Sequence, residues 1–431
     1  MSISKSRQVL AVIETTDILH LQLARQISHW TMAALRLGDL DDLASASAWN
    51  SLEQYLGLVL RQNLAVAVER LQRQAAALQA QWSAARTPDD INRVQQNLLE
   101  FRQRYLRTEK LLDFYADALN TRTNPSIAAL LRACDLLARR SMSELLDRLG
   151  LTTPPVLTYI DTGLGASILK AGLRLWDGRT ESLVAAIKIV RHNLYRPTAL
   201  IHEAGHQVAH ALGWSGELAS VLDSELSRVS PQVARIWASW ASEITADAYA
   251  FVHTGYASVA GLHDVVAGGR MVVFRYLPGD PHPIGYIRVL LGVEMCRQCF
   301  GRGAWDELAQ AWSQGHDLED AHSGVRELLE QSLPLLPLVA ELCLMRPMRA
   351  FRGNSLVAMI DPKRVSPNAL AQLEAQGGAA LYTSHHWVWT EPIRLLALTG
   401  YRAATQSDRA LEVLQQQKDW MLRLGETLQA A

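Results

Sequence analysis

The sequence predicts an α+β fold that is mainly helical, with one small β-sheet between helical N- and C-terminal regions. Three observations predict it. Apolar residues in the first 150 positions recur at alternating spacings of four and three, the period of a packed helix face. A stretch after residue 150 mixes proline and glycine with short β-prone runs. From Thr198 onward helical spacing returns, interrupted near Gly213, Gly255, Gly268, Gly301 and Gly377. These changes of texture give expected domains at 1–150, 151–300 and 301–431, the last packed on the second.

In the first region, Leu64, Val68, Leu71, Ala75, Leu78 and Trp82 form one stripe. A second stripe runs through Val94, Leu98, Phe101, Tyr105, Thr108, Leu112, Tyr115 and Leu119. Between them "ARTPDD" supplies a helix start: Thr87 caps it, Pro88 suits the first turn, and Asp89 and Asp90 complement its positive end. The simplest arrangement is a long antiparallel helical hairpin, which serves either as a packing scaffold or as a protein-partner arm.

In the second region strands are expected at Val156–Ile160, Leu173–Trp176 and Val184–Val190, with Asp177–Gly178 as a turn. The last run, in "LVAAIKIVRHN", is either an edge strand open to an extended peptide or an internal strand. A single run does not reveal its partners.

Composition narrows the function classes. The 431 residues carry 42 basic and 43 acidic side chains, a net charge of -1 without long runs of one sign, so no nucleic-acid binding through phosphate neutralisation is expected. No run of about 18 uncharged apolar residues occurs, so no membrane insertion is expected. The opening apolar stretch is interrupted by Glu14 and Asp17 and makes a poor secretory signal. Four cysteines, Cys134, Cys296, Cys299 and Cys343, suit a reducing compartment. A cytoplasmic location is expected, with delivery by a specialised secretion route left open.

The chemistry concentrates in "ALIHEAGHQVAHALGW". His202 and His206 are four residues apart, so on a helix framed by Pro197 and Gly213 their imidazoles share one face, beside Glu203. This is the spacing of two zinc ligands and a carboxylate that takes a proton from water. His210 continues the series, but positions i, i+4 and i+8 spread over about 12 Å of helix axis and do not converge on one ion. His210 is therefore read as a packing or hydrogen-bonded histidine, and a third ligand must come from elsewhere.

Downstream, "SPQVARIWASWASEITADAYAFVHTG" reads as one long helix capped by Ser230, with Pro231 in its first turn and Gly255 near its end. Glu243 and Asp247 share a face of it. Either they lie on a solvated surface, or Glu243 completes the zinc site and Asp247 accepts the outward N–H of a ligating histidine.

The pair "HEAGH" and "EITADAYA" resembles the paired signature of gluzincin metallopeptidases. The fuller pattern E-x-x-A-D-x-x-A, met by Glu243, Ala246, Asp247 and Ala250, is most similar to the family of HtpX and the CAAX prenyl proteases. The resemblance implies a zincin-like core over roughly residues 155–300, one zinc ion on His202, His206 and Glu243, Asp247 supporting a ligand, and Glu203 as general base. It further implies that His282, Pro283 and Arg288 in "HPIGYIR" stabilise an oxyanion or order the site. The implied activity is hydrolysis of peptide bonds in a protein or peptide substrate, by an endopeptidase expected to be soluble. The spanning helices of membrane-embedded members have no counterpart in this sequence, so a prenylated or membrane substrate does not carry over. An aminopeptidase is the competing enzyme, distinguished by an acidic cluster near the cleft. A latent or non-catalytic adaptor with a structural zinc site is the competing class.

Other features carry less. "CRQC" lacks a second cysteine pair and reads as buried or incidental thiols. His385 and His386 in "TSHHWVW" read as packing or surface residues, and "GLGASILKAG" lacks the phosphate-loop pattern, so no nucleotide site is inferred.

Overall fold

Helices α1 (Ser2–Arg36), α2 (Ala46–Leu56), α3 (Leu60–Ala84) and α4 (Pro88–Asn120) form the N-terminal region. They are seen in a computed structural model that describes residues 2–163, 166–172 and 182–427, with side chains from residue 18 onward. Leu71, Ala75 and Leu78 of α3 share a core with Ile91, Val94, Leu98, Phe101 and Tyr105 of α4, joined by Leu23 and Ile27 of α1. The turn before α4 is fixed reciprocally. The Asp90 N–H donates to Thr87 Oγ1 at 3.2 Å, and the Thr87 N–H donates to Asp90 Oδ2 at 3.0 Å. Asn97 Nδ2 donates to Gln81 Oε1 at 2.8 Å across α3 and α4, which run antiparallel as a hairpin.

The described chain falls into two compact units, residues 2–120 with Ser182 in one and residues 121–172 with 183–427 in the other. The division comes earlier than the change of texture at residue 150. Helix α5 (Pro125–Leu146), capped by Asn124, belongs to the second unit because Leu130, Leu137 and Met142 sit in that unit's core. Its buried Asp135 pins it to the sheet: the Thr158 N–H and hydroxyl donate to Asp135 Oδ1 at 2.6 and 2.7 Å. Residues after 300 share this core, with Trp305, Leu329, Leu344 and Trp420 buried in it.

The sheet is mixed, in the order β1-β3-β2, where β1 is Val156–Ile160, β2 is Ser167–Leu169 and β3 is Ala185–Ile189. The strand expected at Leu173–Trp176 and the turn at Asp177–Gly178 lie outside the described residues. The edge-strand alternative for "LVAAIKIVRHN" is overturned. β3 pairs in parallel with β1 and antiparallel with β2, so that Ile187 has Thr158 on one side and Ile168 on the other. Its Ala185, Ala186, Ile187 and Ile189 are buried, as an internal strand covered on both faces requires. Strand β2 is too short for an alternating pattern to announce it, being bounded by Gly163, Gly165 and Gly172 in the sequence.

Helices α6 (Thr198–Leu212), α7 (Trp214–Leu226), α8 (Pro231–Ser239), α9 (Ala241–Thr254), α10 (Tyr256–Val266), α11 (Arg270–Val273) and α12 (Gly285–Phe300) follow. α6 ends as expected at Gly213, whose φ of 65° is a left-handed cap. The single long helix expected from Ser230 to Gly255 is two. Ser230 and Pro231 start α8 as anticipated, but α8 ends at Ser239, and Trp240, with φ −90° and ψ −2°, stands between it and α9. Trp237 and Trp240 are both buried and meet edge to face at 5.4 Å at this break. The break makes Glu243 a first-turn residue of α9, where the helix dipole favours a carboxylate. No helix among the described residues is long and apolar enough to cross a membrane.

Candidate metal centre

Helices α6 and α9 pack where each has a small residue. A Cβ added at Gly205 would stand 3.0 Å from Ala246 Cα and 3.0 Å from Tyr249 Cβ, so the glycine of "HEAGH" and the alanine of "EITAD" let the two backbones approach. That approach sets His202 and His206, one turn apart on α6, against Glu243 and Asp247, one turn apart on α9.

Donor atoms of His202, His206 and Glu243 all lie within 4.8 Å of one another, a group that can hold a metal ion. His202 Nε2 is 3.4 Å from Glu243 Oε2, and His206 Nε2 is 3.1 Å from Glu243 Oε1. The other nitrogen of His202 is committed: Nδ1–H donates to Asp247 Oδ1 at 2.8 Å, which turns Nε2 to the centre. Arg288 of α12 donates through Nε to Asp247 Oδ2 at 2.6 Å. Its Nη2 reaches Asp247 Oδ1 at 2.8 Å and Glu243 Oε2 at 3.0 Å. Ser242 Oγ stands 3.5 Å from His206 Nδ1.

The electrostatics follow from these contacts. Burial disfavours the charged form of His202, but the Asp247 and Glu243 carboxylates outweigh it and lift its pKa to about 10. A metal ion at Nε2 must therefore displace a proton. Burial also opposes ionisation of Glu243 and Asp247, yet their histidine and Arg288 partners hold both below the usual carboxylate range. Glu203 shifts in the opposite sense: burial pushes its pKa up, and the attraction of His202 and His206 offsets desolvation only in part.

The structure thus brings together His202, Glu203, His206, Glu243, Asp247, His282 and Arg288 around one cavity of about 450 Å³. His282 is exposed at its rim, with Nε2 3.7 Å from Glu243 Oε1 and Nδ1 2.6 Å from Asp280 Oδ1. Asp280 escaped the sequence reading. Its signal is an aspartate two residues before the histidine, where its Oδ1 also accepts the His282 N–H at 3.0 Å in an Asx turn.

Other candidates lie apart from the centre. His210 is an exposed residue rather than a packing one, and partial burial followed by the Lys170 charge lowers its pKa. Cys296 is buried and Cys299 half-buried on α12; both are free thiols, with burial pushing Cys299 up to about 11. His385 and His386 are exposed, and His385 stacks on Trp389 with ring centroids 6.2 Å apart. No protein family, curated protein or solved structure matches the chain.

Proposed function

We propose that the protein is a zinc-dependent peptidase of the gluzincin type, with a zincin-like core similar to that of the HtpX and CAAX prenyl protease family. The observation that carries this is the convergence of His202, His206 and Glu243, from two separate helices, beside Glu203 at the wall of a cavity. The donor set fits the metal. Two imidazoles and one carboxylate are the ligands of an open catalytic zinc site. With both imidazoles neutral, Glu243 and Asp247 outnumber the one guanidinium of Arg288 paired to them, so the cluster is left with negative charge that a divalent cation offsets.

Zinc, when bound, supplies a Lewis acid that acidifies a water and polarises a carbonyl. Glu203 accepts the proton of the attacking water and delivers it to the leaving amine. Asp247 keeps the His202 ring oriented. Arg288 has its guanidinium engaged by Glu243 and Asp247, which suits it to ordering the ligand helix rather than to meeting substrate. His282, anchored by Asp280 and open to solvent, is the group left to donate to the oxyanion.

The acidic side chains lining the cavity are Glu203, Glu243 and Asp247, all part of the centre, so an additional acidic cluster for a substrate amino group is not among the described lining residues. This favours an endopeptidase over an aminopeptidase. Metal content and cleavage of an unbiased peptide library, compared between wild type and Glu203→Gln, test the reading. The expected result is about one zinc per chain in both, with cleavage falling at least ~100-fold in the variant. Protein that takes up no stoichiometric metal overturns the site, and metal without cleavage turns the reading to an adaptor or a latent enzyme.

A further inference from the structure

One arginine and one lysine line the cavity, and they stand in different states. The Arg288 guanidinium is engaged by Asp247 and Glu243. Lys170, the residue after β2, makes no ion pair or side-chain hydrogen bond among the described residues. Lys188 of the neighbouring strand differs, since its Nζ donates to the Thr162 carbonyl at 3.2 Å. Lys170 is nevertheless half-buried. Taking an ammonium partly out of water without a counter-charge is unfavourable, and the cavity is where a counter-charge can enter.

The backbone holds Lys170 from both sides. Just before it, Leu169 pairs with Ala186 of β3. Just after it, Ala171 is clasped by a side chain of α6: the Ala171 N–H donates to Gln207 Oε1 at 2.7 Å, and Gln207 Nε2 donates to the Ala171 carbonyl at 3.3 Å. Gln207 is buried and directly follows His206. The Lys170 charge is felt at His210, one turn of α6 beyond His206. The lysine therefore stands on the His206 side of the centre, on a strand end tied to the helix that carries both histidines.

We infer that Lys170 is a specificity-determining residue that receives a carboxylate of the substrate, from a side chain or the C-terminus, on one side of the bond that is cleaved. The word substrate rests on the peptidase reading, while the carboxylate site does not. The carboxylates of the centre disfavour acidic peptides in general, so a preference for them needs a cation that is unpaired and set apart from that centre. Among the lysine and arginine side chains of the cavity lining, Lys170 meets both conditions. An extended peptide rises about 3.3 Å per residue, so about two residues span one turn of α6, and the carboxylate belongs within about two residues of the cleaved bond.

Three fluorescein-labelled peptides test it. Two alternate alanine with glutamate or with glutamine and are amidated at the C-terminus, and the third is the glutamine peptide with a free C-terminus. They are titrated into wild type, Lys170→Met and Lys170→Glu in zinc-supplemented buffer, with binding read by fluorescence anisotropy and folding checked by circular dichroism. Methionine keeps the apolar stem of the lysine and removes the ammonium. Wild type should bind the glutamate peptide or the free-carboxylate peptide about tenfold more tightly than the amidated glutamine peptide, and which of the two it prefers identifies the source of the carboxylate. Lys170→Met should level that preference, Lys170→Glu should reverse it, and high salt should weaken it in wild type. The same order should appear in kcat/KM for cleavage. Equal binding of all three peptides by wild type, or a preference that the folded variants keep, overturns the inference even where peptides are cleaved. A Lys170-dependent preference without cleavage of any peptide keeps the carboxylate site and removes the peptidase reading. If one variant misfolds, the other decides.

Discussion

Helix α9 takes part in two buried groups that each combine carboxylate, imidazole and guanidinium, and they behave in opposite ways. Near its N-terminus, Glu243 and Asp247 gather His202, His206 and Arg288 at a cavity wall. At its C-terminal turn, fully buried His253 receives Arg364 Nη2 on Nδ1 at 3.1 Å, with Glu144 Oε2 at 3.7 Å and Arg364 also paired to Glu144. The first group has carboxylates in excess, so its histidine is drawn toward protonation. The second has one carboxylate already satisfied by one guanidinium, so burial and the Arg364 charge push His253 well below its ordinary value. Residue type is therefore not what sets the candidate metal centre apart from the closed cluster. Its excess of carboxylates, its three donor groups within 4.8 Å of one another and its place on a cavity wall do.

The largest expected effect comes from Glu243→Ala. It removes the third donor and part of the negative charge that balances the cation, and zinc affinity measured by competition with a chromophoric chelator should fall more than ~100-fold. An unchanged affinity would show that another residue completes the site. Asp247→Asn comes next. It leaves every donor atom in place but weakens the hold on His202 and Arg288, and should cost about 10- to 100-fold in zinc affinity. Gly205→Val touches no ligand and tests the helix crossing instead. Its side chain would meet the α9 backbone, lowering unfolding stability in urea by about 1–3 kcal/mol and weakening zinc in parallel. Stability lost with zinc affinity intact would mean that the two helices shift together and the crossing does not set the site.

Much of this was legible in residue spacing, and the reason lies in which contacts are local. The capping pair Thr87 and Asp90 is written within four residues, and so is the left-handed stop of α6 at Gly213. His202 and His206 share a helix face by periodicity alone. Glu243 and Asp247 were identifiable because their spacing pairs with that of "HEAGH" across a crossing of two helices. What escaped was set by tertiary packing. The break at Trp240, where two buried indoles meet, is announced by no propensity at that position. β3 is internal only because β2, three residues long and glycine-flanked in sequence, comes to lie on its far side. His253 sits in "AFVHTG" with nothing nearby to mark it, since its partners come from residues 144 and 364.

The smallest expected effect tests the closed half of the comparison through pH. In the unfolded chain His253 titrates near its ordinary 6.5, whereas in the folded protein its pKa is depressed by burial first and by Arg364 second. As pH falls below 6.5, the unfolded chain binds a proton that the folded one refuses, so this residue's contribution is complete above 6.5 and is lost on acidification toward the folded pKa. The loss approaches about 1.4 kcal/mol per pH unit. Replacement by glutamine removes the titration while keeping a polar side chain that can meet Arg364. Unfolding stability in urea, measured with a chelator present to silence the candidate metal centre, should therefore favour wild type over His253→Gln more at pH 7 than at pH 5, the gap narrowing by at most about 2 kcal/mol. A gap that stays constant between those pH values would mean that the folded protein accepts the proton. In that case Glu144 would be compensating His253 as Asp247 does His202, and the two ends of α9 would differ in access to the cavity but not in charge.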